Sequence, residues 1–228
     1  MDESIQELSP RISDCLKVIY AMQERGQKVS TSAVSERLGV SDATVTLLFK
    51  DFAVAGWVEH TPYHGVHLTP LGERKAMEVI RHHRLLELYL ARALGYSWDK
   101  VHAEADKLEH VISEEFEEKL DALLGYPTVD PHGDPIPSKE GVVSLRKGQA
   151  LTAMTEGQSA TVLRIQDQDS EKLCYLGELG LYPDTPVALV KRNPFGGPLV
   201  ILVGSTDKQK EQILGAELAE HIIVSLPE

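Results

Sequence analysis

The chain has 228 residues, enough for one large domain or for two to three small ones. Its 42% hydrophobic and 25% charged residues are typical of a globular protein, and no run approaches the roughly 18 apolar residues of a membrane-spanning helix. The formal net charge of −12 does not favour nucleic-acid binding, because nucleic-acid-binding domains usually carry a basic face, but it suits a protein that binds cations.

The N-terminus and the cysteines indicate the cellular compartment. MDESIQELSPR is acidic and polar, and it lacks the basic and apolar regions of a signal peptide. Cys15 and Cys174 are far apart in the sequence and form no CxxC pattern, so no disulfide framework is expected. These features predict a cytoplasmic protein.

Three short helices and a hairpin are predicted in the first 72 residues. Capping residues and glycines place the helices at residues 9–26, 30–38 and 41–56. Residues 57–60 and 66–68 are predicted strands around a tip that contains proline and glycine. Two helices joined by a tight turn and followed by a hairpin form a winged helix-turn-helix.

The rest of the chain divides into a helical part and a β part. One long helix is predicted from residue 73 to Gly95, and a second from about Ser97 or Trp98 to Leu124. From residue 147 the runs SATVLRIQ, PVALVKR and PLVILVG are typical of a small β-barrel. The predicted fold is a multidomain α+β protein: winged helix 1–73, helical domain 74–126, Pro-rich linker 127–146 and β domain 147–228.

The helix-turn-helix favours DNA binding over a helical hairpin that only fills the core. Gly39 in the turn, the polar start of the third helix and the wing support this interpretation. Small hydroxylated residues at that position reach base edges in the major groove, and a lysine contacts phosphates. The predicted DNA contacts are Ser41, Ala43, Thr44, Thr46 and Lys50. Residues 1–72 hold nine acids and six bases, so any basic surface is a narrow patch.

The stretch HAEADKLEH contains four groups able to bind a metal. His102, Asp106, Glu109 and His110 fall at i, i+4, i+7 and i+8, which predicts that they share one face of a helix with apolar residues. A solvated acidic face is the alternative, and we interpret EEFEEKLD at 114–121 in that way. Burying several charges is costly unless a cation neutralises them, so HAEADKLEH is predicted to bind a divalent ion.

Two other helices carry matching groups. His83 and Glu87 lie one turn apart on the preceding helix, and Asp14 precedes the apolar run of the first helix. A donor set of carboxylates and imidazoles without thiolate suits a hard to borderline ion such as Mn²⁺ or Fe²⁺.

The sequence resembles the diphtheria toxin repressor family of metal-dependent transcriptional repressors over essentially its whole length. The resemblance is carried by the winged helix at 9–72, RHHRLLELYL, DKVHAEADKLEH, DPHGDPIP and the C-terminal β module. It implies a homodimer that binds double-stranded palindromic operator DNA. It also implies an SH3-like C-terminal domain, and a dimer interface and metal sites carried by the helices between residues 74 and 124.

The resemblance assigns the candidate ligands to two metal sites. The ancillary site would use His83, Glu87 and His102. The primary, activating site would use Asp14, Asp106, Glu109 and His110. Asp14 and Asp106 replace the methionine and cysteine of the iron-type members, as in manganese-type members. Lys17 stands where the family's dinuclear manganese proteins place a glutamate, and Asp167 or Asp169 of the β domain is a further candidate ligand.

The leading hypothesis is a Mn²⁺-activated DNA-binding repressor of manganese or iron homeostasis genes. Fe²⁺ is the alternative activator, and Zn²⁺, Co²⁺ or Cd²⁺ are expected to substitute in vitro. A carboxylate and histidine metalloenzyme is the rival from another class, but the sequence has no nucleophile motif, phosphate loop or spare general base. A winged-helix regulator of an organic ligand would bind DNA whether or not a chelator is present. We therefore predict no enzymatic activity and no membrane association.

Overall fold

The computed structural model describes residues 9–61, 65–144 and 146–227. Contacts divide the chain into two compact units. Unit 1 comprises the described residues of Met1–His83, Asp106–Glu117 and Pro137–Val143. Unit 2 comprises those of Arg84–Ala105, Glu118–Ile136 and Ser144–Glu228.

Unit 1 contains the predicted winged helix-turn-helix. Its helices are α1 (Pro10–Glu24), α2 (Thr31–Leu38) and α3 (Asp42–Val54), and its hairpin is β1 (Val58–Thr61) and β2 (Gly65–Leu68). The hydroxyl groups of Ser30 and Ser41 cap α2 and α3, because each accepts a hydrogen bond from the backbone amide three residues on. Ser9 makes no such bond, so the predicted side-chain cap of α1 is wrong, and α1 begins with Pro10 alone.

The wing is attached to the helices by backbone contacts. β1 and β2 are antiparallel, with Val58 opposite Leu68, and the predicted tip at 62–64 lies outside the described residues. The Val66 amide donates to the carbonyl oxygen of Val29, which lies in the segment between α1 and α2. The apolar side chains of α1, α2, α3 and the hairpin pack together in one buried core.

The predicted helix from 97 or 98 to 124 is two helices. α4 (Pro70–Leu94) is continuous, whereas α5 (Val101–Leu108) and α6 (Glu114–Leu123) are separated by a turn. Ser113 starts α6, because its hydroxyl accepts from the Phe116 amide at 3.2 Å. The acidic first turn of α6 is favoured by the positive end of the helix dipole.

Unit 2 contains the predicted β domain. Its strands are β3 (Gln149–Ala150), β4 (Ser159–Ile165), β5 (Pro186–Arg192), β6 (Leu199–Val203), β7 (Lys210–Leu214) and β8 (Ile222–Ser225). They form one antiparallel sheet in the order β3-β8-β4-β5-β6-β7. The helices α7 (Ser170–Glu178) and α8 (Ala216–Glu220) contribute to the sheet's apolar core.

The described residues contain no helix that is both long and apolar enough to cross a bilayer. Cys15 is buried and Cys174 is exposed, and both are free thiols. Burial and the neighbouring Asp14 charge raise the pKa of Cys15 to about 12, so this thiol stays protonated at neutral pH.

Replacing Gly65 by alanine is expected to destabilise unit 1. Gly65 has a φ of +95°, and a Cβ there would lie 2.0 Å from the carbonyl oxygen of Val29. We expect a loss of about 3 kcal/mol in the free energy of unfolding. The matched control is Gly26→Ala, at a φ of +63° with open space around the Cβ, which should cost only about 1 kcal/mol. Urea unfolding of both variants is the measurement, and equal losses would contradict the steric argument.

Candidate metal centre

Three segments of unit 1 bring the predicted primary ligands together. Asp14 lies on α1, Asp106 lies on α5, and Glu109 and His110 lie in the turn that follows α5. The prediction that residues 102, 106, 109 and 110 share one helix face is therefore wrong, because α5 ends at Leu108. The turn, rather than a helical stripe, directs Glu109 and His110 towards α1.

Glu109 is at the centre of this cluster. Its side chain is fully buried, and its Oε2 accepts a hydrogen bond of 2.5 Å from His83 Nδ1. His110 Nε2 lies 3.4 Å from Asp14 Oδ1 and 3.5 Å from Glu109 Oε1. His83, which was predicted for the ancillary site, thus contacts a predicted primary ligand and also lies 3.4 Å from Asp106 Oδ1.

Lys17 adds a cation to the cluster. Its Nζ lies 2.6 Å from Glu109 Oε1, 2.9 Å from Asp106 Oδ1 and 3.9 Å from Asp14 Oδ1. Burial lowers the pKa of Lys17, but the charges of Glu109 and Asp106 outweigh burial and raise it overall. Lys17 is therefore an ammonium ion at neutral pH.

The carboxylates of the cluster respond differently to burial. Burial raises the pKa of Asp14, and the charges of Lys17 and His110 only partly oppose it. Burial would also raise the pKa of Glu109, but the hydrogen bond from His83 and the charges of His83 and Lys17 lower it. Glu109 is therefore ionised at neutral pH and needs positive charge around it.

The donor atoms of this cluster fit a divalent cation. Asp14, Glu109 and His110 each offer a ligand atom, and these atoms lie within 4.8 Å of one another. Glu109 Oε1 is buried and accepts no directed hydrogen bond, although Lys17 Nζ is within ion-pair distance. Lys17 compensates the charge of this oxygen, but a carboxylate oxygen has more than one lone pair, so Glu109 Oε1 can also coordinate an ion.

Unit 2 holds a second buried cluster, around Glu87. His102 Nδ1 lies 3.1 Å from Glu87 Oε1, and His132 Nδ1 lies 3.8 Å from Glu87 Oε2. His132 Nε2 donates to the carbonyl oxygen of Trp98 at 2.8 Å, and the His132 amide donates to Asp130 Oδ1 at 2.8 Å. Glu87 and His102 are predicted ligands, whereas His132 and Asp130, which lie in DPHGDPIP, were not predicted from the sequence.

The charges of this second cluster are coupled. Burial lowers the pKa of His132, but the hydrogen bond and charge of Glu87, with the charge of Asp130, raise it to about 9. Burial and the charges of Glu87 and Asp134 raise the pKa of Asp130 well above its usual value. His132 therefore supplies positive charge beside the buried Glu87 carboxylate.

Both candidate ligands of the β domain make their hydrogen bonds at the start of α7, and Asp167 Oδ2 also lies 4.0 Å from His221 Nδ1. Asp169 caps α7 by accepting from the amides of Glu171 and Lys172. Asp167 accepts from Lys172 Nζ at 2.8 Å and from the Asp169 amide at 3.0 Å. The observed contacts give both aspartates a structural role at the start of α7.

The sequence predicted that the acidic run at 114–121 is a solvated face. The structure shows that one of its members is buried. Glu117 is only 2% exposed. Its Oε1 accepts from Arg81 Nε at 2.7 Å, and its Oε2 accepts from His82 Nε2 at 2.8 Å. Arg81 also donates to the carbonyl oxygen of Pro137, so one buried ion pair holds α4, α6 and the segment after residue 136 together.

The predicted recognition helix α3 has an exposed face. Ala43, Thr46 and Lys50 are exposed along it. Leu47, which is not among the predicted DNA contacts, is also 61% exposed on this helix. Ser41 and Thr44 share a hydrogen bond of 2.9 Å between their hydroxyl groups, and Ser41 also caps the helix. Their predicted contact with DNA thus competes with these local hydrogen bonds.

Comparison with known proteins places each part of the chain. Residues 7–66 match the iron dependent repressor N-terminal DNA binding domain, residues 69–138 the iron dependent repressor metal binding and dimerisation domain, and residues 149–226 the FeoA domain. The iron-dependent repressor IdeR of Mycobacterium leprae is 31% identical over 205 residues, which cover 83% of this chain and 87% of the relative.

Two further proteins are similar to this chain over different shares of its length. The diphtheria toxin repressor of Corynebacterium efficiens is 37% identical over 122 residues, 54% of this chain and 53% of that protein. A solved structure of a manganese-dependent transcriptional repressor in complex with manganese is 40% identical, with a TM-score of 0.87, over 95% of this chain and 100% of that chain.

Replacing Glu117 by alanine is expected to cost about 3–5 kcal/mol of unfolding free energy, because Arg81 would remain buried without its carboxylate. Burial raises the pKa of Glu117, but His82 and Arg81 outweigh it and lower the pKa overall. The stability from Glu117 is therefore present above its usual pKa of 4.5 and is lost as pH falls through the lowered value.

Chemical unfolding of the unchanged chain and of Glu117→Ala between pH 3 and pH 8 measures the loss of unfolding free energy and its dependence on pH. Glu114→Ala is the control on the same helix turn, because Glu114 is about half exposed and 3.7 Å from His82, and it should change stability by less than about 0.5 kcal/mol. A loss for Glu117→Ala no larger than for Glu114→Ala would contradict the role given to the buried pair.

Proposed function

Because the chain belongs to the iron-dependent repressor family of metal-dependent transcriptional repressors, we propose that it is a Mn²⁺-activated repressor of manganese and iron homeostasis genes. It is a DNA-binding homodimer and not an enzyme. We further propose that it acts in the cytoplasm and binds palindromic operator DNA. The proposed domains are the winged helix at 1–73, the dimerisation and metal-binding helices at 74–126, a linker at 127–146 and the SH3-like domain at 147–228.

The contact of Asp14 with His110 is the observation that carries this proposal. Asp14 lies on α1, whose apolar side chains belong to the core of the winged helix, whereas Glu109 and His110 follow α5. Ligand atoms of all three residues lie within 4.8 Å of one another. One ion bound by this set would join the DNA-binding helices to the segment that follows α5.

The protein's own residues give the ion its effect. Asp14, Glu109 and His110 would hold the ion, which would supply positive charge between the carboxylates of Asp14 and Glu109. Asp14 then fixes α1, and α1 fixes α2 and α3 through their shared core. Metal that binds this arrangement better than a looser one shifts the population towards DNA binding.

Recognition of the operator is proposed for the exposed face of α3. Ala43, Thr46 and Lys50 form the outer part of that face, while Ser41 and Thr44 stand at its beginning. In a homodimer, two such helices would contact successive major grooves of a palindrome. Lys50 would contact phosphate, and the small side chains would approach base edges.

Oxygen ligands favour manganese as the activator. Asp14 and Asp106 offer carboxylates where iron-type members have sulfur, and hard oxygen donors suit Mn²⁺. Fe²⁺ remains the second candidate, since the relatives include iron-dependent repressors, and Zn²⁺, Co²⁺ or Cd²⁺ would substitute in vitro. Glu87 and His102 are proposed to serve an ancillary ion, and the assignment of His83 to that ion stays a prediction.

The function is tested by operator affinity as a function of free Mn²⁺. Glu109→Gln and His110→Ala should each lower Mn²⁺-stimulated affinity for the DNA upstream of the protein's own gene by roughly 10- to 100-fold. Glu109→Gln removes the negative charge of one ligand and His110→Ala removes an imidazole ligand, and neither change removes an apolar core residue. Fluorescence anisotropy is the measurement, and Glu211→Gln on the exposed edge strand β7 is the control. Wild-type binding that ignores both Mn²⁺ and chelator would refute the function.

The double substitution Asp14→Met, Asp106→Cys should change the order of metals that activate DNA binding. Replacing two hard oxygens by sulfur is expected to move activation from Mn²⁺ towards Fe²⁺, Co²⁺ or Ni²⁺. The measurement is operator affinity against each free ion, without oxygen for Fe²⁺. Asp14→Asn, Asp106→Asn is the control that keeps oxygen donors but removes charge. An unchanged order of metals in the double sulfur variant would place selectivity outside these two residues.

A further inference from the structure

We infer that Lys17 is a built-in cation of the primary metal site and that it limits this site to a single divalent ion. The inference rests on the proposed function, because it concerns the same ligands. It adds a residue that binds no metal itself but determines how many ions the site accepts and how tightly the first one binds.

The position of Lys17 supports this role. Lys17 lies one helical turn after Asp14 on α1, so both side chains extend from the same face of the helix. Its ammonium group donates a hydrogen bond of 2.9 Å to Asp106 and lies 2.6 Å from Glu109 Oε1. The side chain is only 20% exposed, so water screens these contacts poorly.

The charges of the cluster favour one ion. Asp14, Asp106 and Glu109 bring three negative charges, and Lys17 brings one positive charge, so two negative charges remain when His83 and His110 are neutral. A positive charge on His83 would reduce that remainder to one and would disfavour a second ion further. One divalent ion neutralises that remainder. A second divalent ion would leave two positive charges in a largely buried site, where uncompensated charge is costly.

The space between the carboxylates of Asp106 and Glu109 also favours a single ion. In two-metal sites the ions lie about 3.5–4 Å apart and share carboxylate ligands. An ion that bridged Asp106 Oδ1 and Glu109 Oε1 would sit about 2–2.5 Å from each oxygen. Lys17 Nζ already lies close to both of these oxygens, at 2.9 Å and 2.6 Å. Asp14, Glu109 and His110 form a ligand set that does not need Asp106. The ammonium group therefore takes up the space that a second ion between Asp106 and Glu109 would need.

Three substitutions of Lys17 test whether its positive charge limits the number of ions that the site binds. Lys17→Glu should add one Mn²⁺ per protomer, and the two ions should give the electron paramagnetic resonance spectrum of a spin-coupled Mn²⁺ pair. Lys17→Met should keep one ion but bind it on the order of tenfold more tightly, because one nearby repulsive charge is removed. Lys17→Arg keeps the charge and should keep both the stoichiometry and the approximate affinity of the unchanged chain.

Two controls make the result specific. Lys208→Met removes one exposed lysine charge in unit 2 and should leave Mn²⁺ affinity unchanged. Lys17→Glu combined with Glu109→Gln should lose the spin-coupled pair, which assigns the pair to this cluster. Mn²⁺ content after equilibrium dialysis and the resonance spectrum are the two readouts, and neither depends on DNA binding.

The outcomes separate this inference from the proposed function. If the unchanged chain binds no Mn²⁺ that depends on Glu109, the proposed function fails. If the unchanged chain binds Mn²⁺ through Glu109, but Lys17→Glu gives no coupled pair and Lys17→Met gives no gain in affinity, the role of Lys17 is refuted. A Lys17→Glu chain that does not fold leaves the decision to Lys17→Met, whose affinity supports or overturns the inference alone.

Discussion

The buried carboxylate of Glu109 is the constraint on which the arrangement of unit 1 depends. An ionised group without solvent exposure must find positive charge or hydrogen-bond donors within the protein. These come from Lys17 on α1 and His83 on α4. Compensating one charge therefore draws two helices towards the turn after α5. Side chains of α1 also belong to the core of the winged helix. The charge of Glu109 therefore influences the position of the DNA-binding helices through α1.

Local signals were sufficient to predict the winged helix. Ser30, Gly39 and Ser41 determine helix ends through contacts with residues only a few positions away. Contacts of this short range can be predicted from the sequence. The break between α5 and α6 was missed because no glycine or proline marks it. Hydrophobic periodicity continues through the turn, and the cap at Ser113 is a common residue in an acidic context. The metal-binding residue types were thus proposed from a helical face that does not exist.

Contacts between distant residues explain the remaining differences. Glu117 is buried because Arg81 and His82, 36 and 35 residues earlier, compensate it, and nothing in the run EEFEEKLD distinguishes it from its exposed neighbours. His132 is held by the carbonyl oxygen of Trp98, 34 residues away. Spacing within one segment cannot reveal a partner that only the fold supplies. For the same reason the family resemblance singled out Lys17, but nothing in the sequence could place its ammonium group between the carboxylates of Asp106 and Glu109.

The composition of α3 has a consequence for how an operator would be distinguished from other DNA. The helix DATVTLLFKDFAV contains no arginine, asparagine or glutamine, and its one lysine, Lys50, is the residue proposed to contact phosphate, so none of its side chains is left to form paired hydrogen bonds with guanine or adenine. Its exposed face presents instead the methyl groups of Ala43 and Thr46 and the apolar side chain of Leu47. Such a surface is complementary to the methyl group of thymine. Discrimination by this helix would therefore depend on thymine positions and on the groove width and bendability of the duplex, so bases that touch no side chain would still affect affinity.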